Sequence, residues 1–347
     1  MAVVKKEFGK NSKGEQAYFY EITNAAGMKA VVTDFGATLH SLYVPDKDGK
    51  MLDVVWGYDT VKEYEIDNGP FFGATVGRIA NRTGGAVVTI DGVDYHMEAN
   101  ERTNCLHSGS NCYHVRIWNA EILENAVKFY ILSPDGDQGL PGNFDISVTY
   151  TVTDDNGLKI TYDGVSDKDT YVSMTNHSYF NLNGETSDSI LEHELWLNAD
   201  AFTRVNNEMI STGEIIDVTG SAMDFRTPKT FGRDINNDEE PLNIGSGYDH
   251  NFVLKAHAAD EAIAKVVSEE SGIVMEIFTD CPGMQIYTGN FLCDKPGKGG
   301  RIYPNRSAVA FETQQFPDAM HHDNFPSPLV KAGEKFHTET EYKFTVK

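Results

Sequence analysis

An all-β protein, built as a sandwich or barrel, is the fold this sequence predicts, and three observations carry that expectation. Apolar and polar residues alternate with a period of two over many short stretches, the pattern of strands that bury one face. Turn formers punctuate those stretches, with 31 Gly and 12 Pro spread along the whole chain. The strands also recur too densely to leave room for crossover helices, which favours a sandwich or barrel over an α/β layout.

Taken in order, residues 17–23 and 28–33 read as strands, and residues 60–66 as a short helix. Val88 and Ile90 alternate up to Asp91-Gly92, a pair that tolerates the positive φ values of a type I′ turn, and Val93 and Tyr95 continue beyond it as the second arm of a hairpin. Residues 126–132 give a further strand. Ile146, Val148, Tyr150 and Val152 alternate with polar neighbours, Asp154-Asp155-Asn156-Gly157 supplies a turn, and Leu158, Ile160 and Tyr162 resume the pattern. Ala258 to Val267 has an alanine-rich, helix-like composition. Its continuation through Ser271-Gly272 into Ile273, Met275 and Ile277 suits a hairpin, so its later part is assigned to strand, ten residues of helix propensity being easily overridden. Strands at 272–279, 307–313 and 337–346 complete the set.

One domain spanning residues 1–347 is expected, because β proteins often stay undivided beyond 200 residues and no low-complexity tract or Pro/Ser-rich bridge interrupts the chain. With 29 basic against 52 acidic residues the net charge is −23, which repels phosphate backbones and anionic lipid. Nucleic acid and membrane are therefore poor partners, and a strongly anionic substrate is disfavoured. No stretch approaches the ~18 apolar residues of a membrane span, and residues 1–20 lack a signal-peptide core. Cys105, Cys112, Cys281 and Cys293 form no C-x-x-C pair, so they are expected as reduced thiols in a cytoplasmic protein.

His177, His107 and Glu312 together suggest acid/base chemistry on a small polar molecule. His177 lies among Asn176, Ser178, Tyr179 and Asn181, which offer hydrogen bonds without a charge to fix its protonation, and an ordinary pKa near 6.5 lets it give and take a proton. The bland reading is a buried histidine tied to a backbone carbonyl. Glu312 sits in an apolar run on the same strand face as Ala308 and Ala310, whose small side chains leave room beside a carboxylate; the alternative is an exposed strand glutamate. Asp249 follows Ser246-Gly247 at a turn opening a strand, where a carboxylate accepts from sugar hydroxyls or merely caps the turn. A second histidine, His107, ends Asn104-Cys105-Leu106-His107. Asn81 and Arg82 could hold neutral oxygens or pair with the excess acid. Gly73 and Gly77 are spaced wrongly for G-x-G-x-x-G, and no P-loop occurs, so no nucleotide motif is present. His321-His322 invites a metal reading, but neighbours on an extended chain point to opposite faces.

As an ordered set these segments resemble the aldose 1-epimerase (galactose mutarotase) family. The runs that carry the resemblance are Phe72-Gly73-Ala74-Thr75-Val76-Gly77-Arg78-Ile79-Ala80-Asn81-Arg82, Asn104 to His107, Ser133-Pro134-Asp135-Gly136 through Gly139-Leu140-Pro141-Gly142, Thr175 to Leu182, Gly247 to Phe252, Gln285 to Phe291, and Phe311-Glu312-Thr313-Gln314. The resemblance implies a large antiparallel β-sandwich with few short helices, called a supersandwich, an open sugar cleft, and no metal or cofactor. It places a catalytic base on Glu312, a catalytic acid on His177, and sugar-binding groups on Asn81, Arg82, His107, Asp249 and Gln285. It also implies a free hexose such as galactose or glucose as substrate, for a monomer or homodimer. Cys105, Ser108 and Thr83 depart from the family's usual residues close to His107 and bear on pocket shape.

Interconverting α and β anomers requires ring opening at C1, rotation about C1–C2, and closure on the other face. Glu312 would take the C1 hydroxyl proton while His177 protonates the ring oxygen, each worth roughly 10²- to 10⁴-fold. That scheme needs ionised Glu312 and protonated His177, so surroundings that raise the histidine pKa are expected. The competing readings are a glycoside hydrolase using Asp249 with Glu312, a hexose-6-phosphate 1-epimerase, and a non-catalytic sugar-binding protein on the same fold.

Overall fold

The computed structural model describes residues 2–66, 69–292 and 295–347. Three antiparallel sheets form its frame. A five-stranded meander runs through Ala2–Lys10, Gln16–Thr23, Lys29–Thr33, Thr38–Pro45 and Met51–Asp53. A nine-stranded sheet is ordered Asn119–Ile122, Ala126–Ser133, Phe144–Val152, Gly157–Ser166, Lys335–Val346, Ile273–Thr279, Ala264–Val267, Glu194–Leu197, Lys229–Thr230. A six-stranded sheet is ordered Tyr179–Phe180, Val309–Gln314, Gly283–Tyr287, Asp249–Leu254, Ala199–Val205, Ser211–Asp217. Among the described residues helices are few and short, the longest running six residues.

Local chemistry explains the elements. Asp91 and Gly92 both take positive φ, 50° and 78°, closing the Val87–Ile90/Val93–His96 hairpin as a type I′ turn demands. The paired strands Phe144–Val152 and Gly157–Ser166 bring Val148 opposite Tyr162 and Tyr150 opposite Ile160, all buried, around a turn in which Asn156 has φ 64°. The alanine-rich segment ends as the strand Ala264–Val267, paired with Ile273–Thr279; burial of Ala264 and Val266 in the core outweighs helix propensity. The helix Val61–Ile66 starts on a capping box, in which the Thr60 hydroxyl accepts from the Glu63 backbone N–H at 3.2 Å and Glu63 accepts from the Thr60 N–H at 2.9 Å.

The main core gathers side chains from Tyr20 to Phe344, including Val309 and Phe311, so each of the three large sheets contributes to one apolar interior. Ala308 and Ala310, on the alternate face of the same strand, belong to a second cluster with Phe72 and Tyr179. That alternation directs Glu312 away from the main core and toward the site. Cys105, Cys112 and Cys281 are buried and free; Cys293 lies outside the described residues.

Candidate active site

A cavity of about 300 Å³ opens against one face of the six-stranded sheet, at the small end of the roughly 300–1,000 Å³ typical of ligand pockets. Asn81, Arg82, His107, His177, Asp249 and Glu312 line it, with Phe71, Tyr179, Tyr287 and Phe291 as aromatic wall. Register builds its floor. Glu312 lies directly opposite Gln285, and Gln285 opposite Asn251, while Asp249 lies opposite Tyr287 one pleat further along. Asp249, Gln285 and Glu312 thus come from three neighbouring strands on one face. His177 arrives separately, from the short pair Thr175–His177 and Ala74–Val76, whose other arm leads through Arg78 to Asn81.

Glu312 and His177 meet: His177 Nε2 stands 3.5 Å from Glu312 Oε1, and both side chains are almost wholly buried. Glu312 is therefore not the exposed strand residue of the bland reading. Its Oε2 and His177 Nδ1 are buried atoms with no hydrogen-bond partner in the protein. Burial, and then the negative charge of Asp249, push the Glu312 carboxyl well above its ordinary range, against a downward pull from Arg82. Burial lowers His177 to about 4. The expectation that the surroundings raise the histidine pKa is overturned, because removal from water disfavours the imidazolium more than the nearby groups favour it. Burial thus pushes both groups toward their uncharged forms.

Asn81 and His107 are tied by two bonds. The Asn81 N–H donates to His107 Nδ1 at 3.1 Å, and the His107 N–H donates to the Asn81 carbonyl at 3.0 Å. A neutral imidazole that accepts at Nδ1 carries its proton on Nε2, so His107 is a fixed donor. Burial, then the proximity of His177 and Arg82, holds it well below the ordinary histidine range. Phe71, Asn81 and His107 all adopt positive φ, 56°, 62° and 51°, a concentration of constrained backbone around the cavity. The Asn81 Oδ1 accepts from the Arg82 N–H at 2.8 Å, leaving the amide's Nδ2 end for a ligand.

Gln285 donates to Asp249 Oδ1 at 2.6 Å, fixing that carboxylate; burial raises the Asp249 pKa, opposed first by Arg82. Arg82 itself is held by Glu101, through Nε at 2.7 Å and Nη2 at 2.9 Å. Arg82 thus pairs with an acid, as one of its two readings had it, and also lines the cavity. Arg78 serves a different purpose: wholly buried, it donates to the Pro141 carbonyl at 2.7 Å, Ser133 Oγ at 2.8 Å and Thr170 Oγ1 at 3.1 Å, clamping the 133–142 loop behind the site.

His107, His177 and Glu312 each bring a ligating atom within 4.8 Å of the others, a donor set of the kind that holds zinc or iron. Metal binding needs a free lone pair, yet His107 has its Nδ1 committed to Asn81 and its Nε2 protonated. The trio as it stands offers no lone pair on His107 for a metal. His321 and His322 do not point apart: they fall in the turn Ala319–His321 and its cap, and both rings approach Asp318, at 2.7 and 3.7 Å. The extended backbone assumed for them does not form. Cys105, Ser108 and Thr83 are buried behind the wall and do not line the cavity, Ser108 Oγ being spent on the backbone of Ile79.

Glu101, Phe71, Met209 and Leu292 join the site without having been singled out from sequence. For Phe71 and Leu292 the signal was a place beside the Phe72–Arg82 and Gln285–Phe291 runs; for Glu101 and Met209 the sequence holds none.

Similarity to known proteins assigns a chain with this fold and cavity to a class of sugar isomerases. The aldose 1-epimerase family model matches residues 18–343. Galactose mutarotase from Sus scrofa is 40% identical over 320 residues, covering 92% of each chain, and aldose 1-epimerase from Escherichia coli is 35% identical over 335 residues, covering 95% and 96%. The crystal structure of an aldose epimerase homologue from C. elegans superposes with a TM-score of 0.88 at 35% identity, covering 95% of this chain and 99% of that one. The chain belongs to the aldose 1-epimerase family.

Proposed function

We propose that this protein interconverts the α and β anomers of a free hexose, galactose foremost, with Glu312 as base and His177 as acid. The observation that carries the reading is the buried Glu312–His177 contact of 3.5 Å, with one unpartnered atom left on each residue, at the wall of a sugar-sized cavity. In this reading the free pair holds one proton, on Glu312, the direction in which burial pushes both groups. As the sugar enters, its C1 hydroxyl donates to Glu312, and a donor to a carboxylate favours the ionised form. The proton then passes to His177 across the short contact, and the imidazolium is stabilised by the carboxylate it has left.

From that state Glu312 removes the C1 hydroxyl proton as His177 protonates the ring oxygen, and the C1–O5 bond opens. After rotation about C1–C2 the roles reverse: His177 takes the C5 hydroxyl proton as O5 attacks C1, and Glu312 returns a proton to the new C1 hydroxyl. The His107 N–H donor and Asn81 polarise the oxygen at C1, and Asp249 with Gln285 accepts from and donates to hydroxyls remote from it, fixing orientation. Each proton moves within the pair and the sugar, so the scheme calls on no cofactor.

Arg82 is the only Lys or Arg lining the cavity among the described residues, and Glu101 already neutralises it, so a sugar 6-phosphate would meet Glu101, Asp249 and Glu312 without a free counter-charge. This disfavours the phosphorylated substrate. Residues 1–347 would act as one domain, supported by the shared core, and the three buried free thiols suit a reducing cytoplasm. No helix among the described residues is long and apolar enough to cross a membrane. Polarimetry on freshly dissolved α-galactose tests the reading: acceleration over the buffer rate is expected, and calorimetric sugar binding without acceleration would leave only a binding protein. Release of nitrophenol from nitrophenyl galactoside would instead establish a hydrolase.

A further inference from the structure

Arg82 faces three carboxylates. Glu101 holds it through Nε and Nη2, a side-on bidentate pair at 2.7 and 2.9 Å, and Asp249 and Glu312 both act on its charge from within the cavity. Asp249 already receives Gln285, and Glu312 has His177 Nε2 at 3.5 Å. A guanidinium offers five N–H groups, and the side-on pair uses the Nε edge, leaving the Nη1 end unspent. Glu101 is itself fixed by a tight turn: it forms a bridge with Asn104, and Asn100 ties the same loop to the backbone of Leu106 at 2.7 and 3.0 Å.

We propose that Glu101 is a positioning residue for the anomerisation reaction: it draws Arg82 to the cavity rim and so keeps the guanidinium from collapsing onto Asp249 and Glu312. Without that anchor the strongest remaining attractions on Arg82 are the two buried carboxylates. A direct Arg82–Glu312 pair would occupy the space of the C1 hydroxyl and weaken the base; an Arg82–Asp249 pair would block the remote hydroxyl. This inference rests on the anomerase reading and adds a residue to it.

The pH consequence follows from what faces Glu312. Its own sheet presents Gln285 and Asp249, the Thr175–His177 strand presents His177, the Arg82 and His107 segments complete the cavity side, and Tyr342 of the nine-stranded sheet acts from beneath with its hydroxyl committed to the Phe311 carbonyl. Of these only Arg82 favours the ionised carboxylate. Moving it closer lowers the pH at which the pair loses its single proton.

The test is Glu101→Gln, with Glu101→Asp beside it, in the full-length chain. For Glu101→Gln, KM for galactose should rise tenfold or more, and the alkaline limb of kcat/KM against pH should move toward neutral. Glu101→Asp should recover part of both. The melting midpoint should stay near that of the parent chain, because this ion pair is partly exposed and contributes little to stability. In an Arg82→Ala background Glu101→Gln should add no further loss, since its effect runs through Arg82. An unchanged KM and pH profile would overturn the proposal, as would a full additional loss in the Arg82→Ala background. So would a lowered melting midpoint with an unshifted profile. If the parent chain fails to accelerate anomerisation, the anomerase reading fails instead, and calorimetric galactose affinity of the parent against Glu101→Gln still decides whether Glu101 shapes the pocket.

Discussion

Glu312→Gln separates chemistry from folding more cleanly than any other single change. The substitution keeps the side chain's shape and removes only its capacity to take a proton. Because Glu312 Oε2 has no protein partner and the nearest titratable group, His177 Nε2, lies 3.5 Å from the other oxygen, no second base stands ready to replace it. Loss of a general base costs roughly 10²- to 10⁴-fold, about 3 to 5 kcal/mol of barrier at 1.36 kcal/mol per tenfold. Stability should move the other way. The folded-state pKa of Glu312 is raised above its unfolded value, so the folded protein binds that proton more tightly and loses stability as pH rises through the interval. At pH 7 to 8 the neutral amide escapes this penalty, and the melting midpoint should equal or exceed that of the parent chain. Polarimetry of α-galactose provides the rate and calorimetry the midpoint. Activity within threefold of the parent chain would refute the assignment of Glu312 as base; a collapsed midpoint would refute the electrostatic account.

Four further outcomes are expected. His177→Gln should lose a comparable 10²- to 10⁴-fold in kcat, and a variant that loses only KM would remove His177 from the proton path. Since the pair carries one proton from His177's value of about 4 up to the raised value of Glu312, kcat/KM should hold level across that span with its acid limb near pH 4; a limb at pH 6 to 7 would contradict the lowered histidine. Asp249→Ala should raise KM about 10- to 100-fold, the worth of a charge-assisted hydrogen bond of roughly 1.5–3 kcal/mol, and steady-state kinetics indistinguishable from the parent would end its orienting role. His193 is buried, lowered to about 3, and accepts from the Leu182 N–H at 2.9 Å, so only the unfolded chain protonates it between pH 6.5 and 3; the parent chain should therefore lose stability relative to His193→Gln as pH falls through that window, and parallel midpoint curves would be the contrary result.

Strands and turns were legible because their signals are local. Asp91-Gly92 announces its own φ values, and Ile146 to Tyr162 announces its own buried face. Glu312 was legible in part, since alternation placed it beside Ala310, but its burial depends on which sheet covers that face. That is why ordinary pKa values misled: they describe side chains in water, and nothing near His177 in sequence reveals that its ring is enclosed. Long-range pairs were hidden altogether. Lys298 is buried against Asp53 at 2.8 Å, 245 residues apart, and donates to Ser41 and Val55 as well. The grip of Glu101 on Arg82 is shorter in sequence but equally silent, because it depends on how a turn at Glu101–Asn104 closes. His321-His322 failed for a related reason, the local backbone being a helical turn rather than a strand.

The strand Val309–Gln314 presents a carboxylate to the cavity at one position and a phenyl ring to the interior at the next. A slip of a single residue in its pairing would exchange the two, driving charge into oil and oil into the pocket. No half-shifted arrangement can therefore retain turnover. In a refolded sample, a chain misthreaded at this strand should contribute nothing, so specific activity should fall in proportion to the share of such chains.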